Sequence, residues 1–236
     1  MNQLRRILFA GSMLLVVRGV QAELLPASDP SGYVARLLIN EVPFPGEHGY
    51  VSEEDTMAAM RALLLVLDSR INQVPSGYHR SEVAAVDSDN VLDIITAGGE
   101  RGQMDGFFYS RGQPAMVPRV TARIESLVRI SRQGSPGRFA RLIDYAQRLA
   151  SDYVARGVVP EPDIFAGLNY IPPLQVTGRA YGWMTDKGYY HPGGTFVKIP
   201  DDKRGRLGGN RFFTLVQRSA PPAQGSKSKA LISVSK

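Results

Sequence analysis

Cysteine is absent from this 236-residue chain. That excludes a thiol nucleophile, a thiolate metal site and any disulfide framework. Exported domains use disulfides mainly when they are too small to build a core, and a body of roughly 195 residues is large enough to do without them. Histidine is scarce. His48, His79 and His191 stand far apart and lack metal-ligand spacing, so neither a metal nor another cofactor is expected. The sequence holds no G-x-S-x-G elbow, no arrangement suggesting a Ser-His-Asp triad and no G-x-x-x-x-G-K-[ST] phosphate loop. Charge of one sign is not concentrated either. The formal charge is +6, but Arg5, Arg6 and Arg18 lie in the first 22 residues and Lys227, Lys229 and Lys236 in the last ten. Beyond residue 22 there are 25 basic residues against 22 acidic ones. Nothing resembles the basic face of a nucleic-acid binder, and no nucleic-acid partner is expected.

Long apolar runs are also missing, except at the start. Arg5 and Arg6 form a basic n-region, Ile7 to Val17 an apolar stretch, and Val20-Gln21-Ala22 a small-residue cleavage pattern. Residues 1–22 therefore read as a signal peptide, which predicts export to the periplasm or cell envelope. No later run is long and apolar enough to span a bilayer, so no stable membrane insertion is expected after cleavage.

The stretch from Tyr33 to Ile71 organises what remains. Tyr33, Leu37 and Leu38 recur at helical spacing, and Pro43 and Pro45 stop the helix because each lacks an N–H and restricts the residue before it. Glu41 falls where that helix gives out. Ser52 then N-caps a second helix, with Asp55 three residues on in a capping-box-like pair and Glu53 and Glu54 adding negative charge to its first turn. From Met57 to Leu67 this helix is apolar nearly all round, which places it in the middle of a core.

Asn72 to Asp89 reads as a polar connection with a helical turn near Ser81–Val86. Val91 to Thr96 is a short apolar run leading into a glycine-rich loop with hairpin character, Ala97 to Pro114. Pro118 opens a helix at its first position and Gly134 closes it. A second follows Pro136 and ends at Gly157, with Phe139, Leu142, Ile143, Ala146, Leu149, Ala150 and Tyr153 as its inward stripe. The two read as an antiparallel pair. Asp163 to Leu168 reads as a helical turn. Gln175–Thr185, Thr195–Ile199 and Arg211–Val216 read as short strands rich in Thr, Val and aromatics. Residues 219–236 offer nothing to build a core with and read as a disordered tail. The expectation is one domain, residues 23–218, of the α+β class, mainly α with a small antiparallel β element.

Glu41 has two readings. Its apolar neighbours Leu38, Val42 and Phe44 would raise its pKa and suit a general acid, whereas a carboxylate at a helix end also serves to bind a backbone N–H or an arginine. Glu47 is the best-placed second carboxylate for a two-acid glycosidase. Glu100, Arg101, Gln103 and Asp105 lie on the glycine-rich loop beside Phe107, Phe108 and Tyr109. Planar polar groups next to aromatic rings suit sugar binding, and a purely structural loop is the competing reading. Tyr181, Trp183, Tyr189, Tyr190 and His191 form an aromatic cluster that suits carbohydrate and equally the packing of a small sheet.

The segments RLLINEVPFPGE and TMAAMRALLLVLDSRI resemble the SleB-type cell wall hydrolases, the family of spore-cortex lytic enzymes. Asn40-Glu41-Val42 matches the glutamate motif that ends the family's first helix, and Asp68-Ser69-Arg70-Ile71 the Asn-Arg-Val-like end of its second. RGQMDGF resembles the family's Gly-Gln-Phe loop, and Tyr190 to Phe213 its closing aromatic segment. Pro43-Phe44-Pro45 lengthens the spacing from Glu41 to the next glutamate. The resemblance implies a lysozyme-like fold. It implies that Glu41 is the general acid/base that cleaves the MurNAc–GlcNAc bond of peptidoglycan, either as a lytic transglycosylase needing one carboxylate or as a muramidase. The alternative is a non-catalytic peptidoglycan-binding or envelope-assembly protein on the same scaffold, with the tail meeting an envelope-protein partner.

Overall fold

The computed structural model describes residues 24–133, 137–159, 162–185 and 194–218. The expected signal peptide of residues 1–22, the expected tail of residues 219–236, Gly134, Pro136, Tyr189, Tyr190 and His191 lie outside the described residues. Among the described residues the helices are α1 (Pro30–Asn40), α2 (Glu53–Asn72), α3 (Arg80–Ala84), α4 (Val91–Thr96), α5 (Pro118–Arg132) and α6 (Arg138–Arg156). The strands are β1 (Phe107–Ser110), β2 (Gln113–Met116), β3 (Leu168–Ile171), β4 (Leu174–Gly178), β5 (Gly182–Thr185), β6 (Phe196–Lys198), β7 (Arg206–Leu207) and β8 (Asn210–Leu215). The protein is α+β, with 45% of the described residues in helix and 18% in small antiparallel sheets.

Asp29 starts α1, its carboxylate accepting from the Ser31 and Gly32 N–H groups at 2.9 and 3.1 Å, with Pro30 at the first helical position. α1 lies chiefly on α6 and is buried from Ser31 to Ala35 and from Leu37 to Ile39. α2 runs through the core as its composition requires: Ala59, Met60 and Ala62 to Leu67 are all at most 4% exposed. Such a helix is held by packing on every side rather than by one amphipathic face. The apolar stripe of α6 faces α1, α2 and α5, and Gly157 at φ 68° closes it with its N–H on the Tyr153 carbonyl.

Ser52 caps α2 as expected, its hydroxyl accepting from the Asp55 N–H at 3.1 Å. The reciprocal half of the capping box is not made. The Asp55 carboxylate instead accepts from the Gly208 N–H at 2.9 Å, tying the start of α2 to the turn between β7 and β8. Val91–Thr96, expected only as an apolar run, is a helix capped by the Asn90 side chain on the Leu92 N–H. The glycine-rich loop does contain a hairpin, β1 paired antiparallel with β2. Asp163–Leu168 is a hydrogen-bonded turn rather than a helix, because Leu168 already belongs to β3. Gln175–Thr185 is not one strand. Gly178 at φ 79° ends β4, which pairs with β3, and β5 joins the other sheet. In that sheet β8 is central, flanked by β5 and β6 and folded back on β7.

Candidate active site

At the end of α1 the prolines prevent the helix from continuing, so its last carbonyls need donors from elsewhere. Arg123 on α5 supplies them. One guanidinium nitrogen donates to the Ile39 and Asn40 carbonyls at 2.9 and 3.3 Å, and the other to the Val42 carbonyl at 2.9 Å. The same group grips Glu47, with Nε and Nη2 at 3.0 and 2.6 Å from its two oxygens. Glu47 also accepts from the Phe44 N–H at 2.8 Å, which closes the loop on itself. The Thr56 hydroxyl donates to the Pro43 carbonyl at 3.1 Å. Pro43 and Pro45 therefore sit in a loop pinned from both ends.

Glu41 caps this helix end, with its own N–H on the Leu37 carbonyl. The Asn210 side-chain amide donates to its backbone carbonyl at 2.6 Å. Its carboxylate has two neutral donors: Asn40 Nδ2 at 3.1 Å on one oxygen and Trp183 Nε1 at 3.0 Å on the other. Burial pushes the carboxyl above the ordinary range. The indole and amide N–H groups and the charge of Arg123 oppose that rise, and the charge of Asp105 adds to it. Desolvation dominates, so Glu41 retains a proton at higher pH than an exposed glutamate.

Glu41 and Glu47 line one cleft of about 820 Å³, opened between the loop after α1, Arg123 and the β7–β8 turn. His48, Thr185, Arg206 and Asn210 also reach it. The two acids predicted from the sequence are thus together, but their states differ. Glu47 is bound to a guanidinium, whereas Glu41 is held only by neutral groups.

The other predicted residues divide. Trp183, the single tryptophan, reaches Glu41, but through its N–H rather than as an open stacking face. Gln103 accepts from Arg70 at 2.6 Å, and the Arg70 guanidinium lies over the Trp183 ring, 5.4 Å from its centroid. Glu100 is exposed on a short 3₁₀ turn and does not line the cleft. Tyr181 is 1% exposed and gives its hydroxyl to the Gln73 carbonyl at 2.6 Å, so it belongs to the core and not to a sugar platform. Tyr190 and His191 fall outside the described residues. Among the described residues no group of three His, Asp or Glu gathers as a metal site.

Sequence reasoning missed Arg123, Asn210 and the contact from Arg70 to Trp183. Arg123 left a trace, since it lies three residues from Val120 and four from Leu127 and so rides the buried side of α5. Asn210 left little, because a polar residue after two glycines reads as a turn. Comparison with protein-family models, with curated proteins and with solved structures finds no match to this chain.

Proposed function

We propose that this protein is an exported peptidoglycan-cleaving enzyme of lysozyme-like fold, a lytic transglycosylase in which Glu41 is the single general acid/base. The observation that carries the reading is the state of Glu41. It is a carboxyl with a raised pKa, oriented by two neutral donors, at a cleft whose other acid is occupied by arginine. A helix-end glutamate facing a small β element across a cleft supports the lysozyme-like assignment. The leader pattern of residues 1–22 supports export.

The chemistry follows from having one acid free of an arginine among the described residues of the cleft. Protonated Glu41 donates to the glycosidic oxygen as the C1–O4 bond breaks, and the resulting carboxylate takes the proton from the C6 hydroxyl of the same MurNAc. O6 then bonds to C1 and leaves a 1,6-anhydro end, with Glu41 reprotonated for the next cycle. No second carboxylate is required, whereas an inverting hydrolase needs one free to activate water.

Glu47 provides the test of that division of labour. Glu47→Gln keeps an acceptor for the Phe44 N–H and loses the ionic half of the Arg123 contact, which is partly exposed, so unfolding free energy should fall by about 1 kcal/mol. Turnover of purified peptidoglycan should stay within about tenfold of wild type, because a true acid/base partner is worth on the order of 10²–10⁴. A loss of that size in a folded Glu47→Gln protein would make the enzyme a two-carboxylate hydrolase. Binding of sacculi without soluble products from the wild-type chain would leave a non-catalytic wall-binding protein.

A further inference from the structure

Arg70 is a buried cation whose partners among the described residues are all neutral. It sits in the last turn of α2 and is 6% exposed. Nε donates to the Tyr181 carbonyl at 2.8 Å, Nη1 donates to Gln103 at 2.6 Å, and the guanidinium covers the Trp183 ring. Burial draws its pKa down to about 10, which still leaves it charged at neutral pH. A buried charge without a counter-ion is costly, and a methionine or leucine would fill the same space without that cost.

The carboxyl of Glu41 lies at the N–H edge of the same indole. A cation over an aromatic face is held by the ring's negative face. By drawing electron density towards that face, it leaves the edge N–H a stronger donor. In Trp183 that N–H points at Glu41. We propose that Arg70 is a positioning residue that acts on Glu41 through the Trp183 ring, the guanidinium fixing the indole and the indole N–H fixing the carboxylate. Gln103 then anchors the guanidinium from the glycine-rich loop. Gly102 permits that placement, because a Cβ there would stand 2.0 Å from the Ala97 carbonyl oxygen. The consequence for turnover rests on the reading of Glu41 as the reacting acid, whereas the linkage itself does not.

The experiment is a ¹³C NMR titration of the Glu41 carboxyl in the full chain, with pH-dependent emission of the single tryptophan as a second readout in the proteins that retain Trp183. Other titratable or charged groups around Glu41 among the described residues are Arg123 from α5, Asp105 from the loop before β1, Glu47 and His48 from the loop after α1, and Arg206 from β7. All of them stay unchanged. Trp183→Phe keeps the ring face and removes the N–H, and Arg70→Met keeps the stem and removes the charge. Each should move the Glu41 midpoint upward, and the alkaline limb of turnover should move up with it, since the acid must be protonated to act. The Arg70→Met shift should largely disappear in a Trp183→Phe background. An equal Arg70→Met shift in both backgrounds would mean a direct field effect and overturn the role of the ring. No shift in either would overturn the proposal altogether. Should Arg70→Met fail to fold, Gln103→Leu, at an exposed position, loosens the same guanidinium. It should give a smaller upward shift, and its absence would count against the linkage. Shifts as described in a protein that releases nothing from peptidoglycan would uphold the linkage and sink the enzymatic reading.

Discussion

Glu41→Gln is expected to lower the release of soluble muropeptides from purified sacculi by about a thousandfold or more, within the range that loss of a positioned acid/base removes. Glutamine fills the same volume and can still accept from Trp183, but it has no proton to deliver to a glycosidic oxygen. Asn40 can turn its amide over to meet the new NH₂ group, so the local network survives. The stability of this variant has a defined pH dependence. Because burial raises the Glu41 pKa, the folded state holds that proton more tightly than the unfolded chain does. The stability associated with it is present below the ordinary carboxylate range and is lost as pH rises through the folded pKa. Glutamine does not titrate. The melting temperature of Glu41→Gln relative to wild type should therefore climb as pH is raised from the ordinary carboxylate range upward. A flat difference over that rise in pH would mean that the carboxyl is not perturbed.

Arg123→Met should produce the largest loss of stability among the site variants. One guanidinium satisfies three carbonyls at the end of α1 and both oxygens of Glu47. Removing it leaves a partly buried carboxylate without its cation and helix-end carbonyls without donors. The group is 27% exposed and Glu47 35%, so water recovers part of the loss and the cost is about 2–4 kcal/mol rather than the full penalty of a buried pair. For a domain of this size that is a fall of roughly 5–15 °C in melting temperature. Turnover should fall as well, since Asn40 and Glu41 hang from the carbonyls that Arg123 holds. Differential scanning calorimetry and a peptidoglycan assay below the transition separate the two effects. A melting temperature within two or three degrees of wild type, by the same scaling, would show that Arg123 does not hold the helix end.

Much of this arrangement could be read from the chain because its signals are local. The prolines after Glu41, the Ser52 cap, the apolar girth of α2 and the stripe of α6 are each decided within a few residues by backbone chemistry and periodicity. The breaks in the sheet were harder. Gln175–Thr185 has strand composition throughout, and only the positive φ of Gly178 reveals two strands in two sheets. The site was half legible. Glu41 and Trp183 were named from their residue types, but their contact spans 142 positions and depends on how β5 registers on β8. Tyr181 has the same composition signal as Trp183 but is buried just before β5 begins, with its hydroxyl on the Gln73 carbonyl, a contact 108 positions away. Glu47 reads as a second acid from its place in the sequence, and its pairing with Arg123 is seen only in the fold. No single stretch of sequence encodes that pairing.

The most direct test of the central claim is mass spectrometry of the soluble products from purified peptidoglycan, with wild-type protein beside Glu41→Gln. The account predicts muropeptides with 1,6-anhydro ends from the wild type alone. Equal product from both proteins, or none from a wild-type protein that is folded and bound to the sacculi, would contradict it.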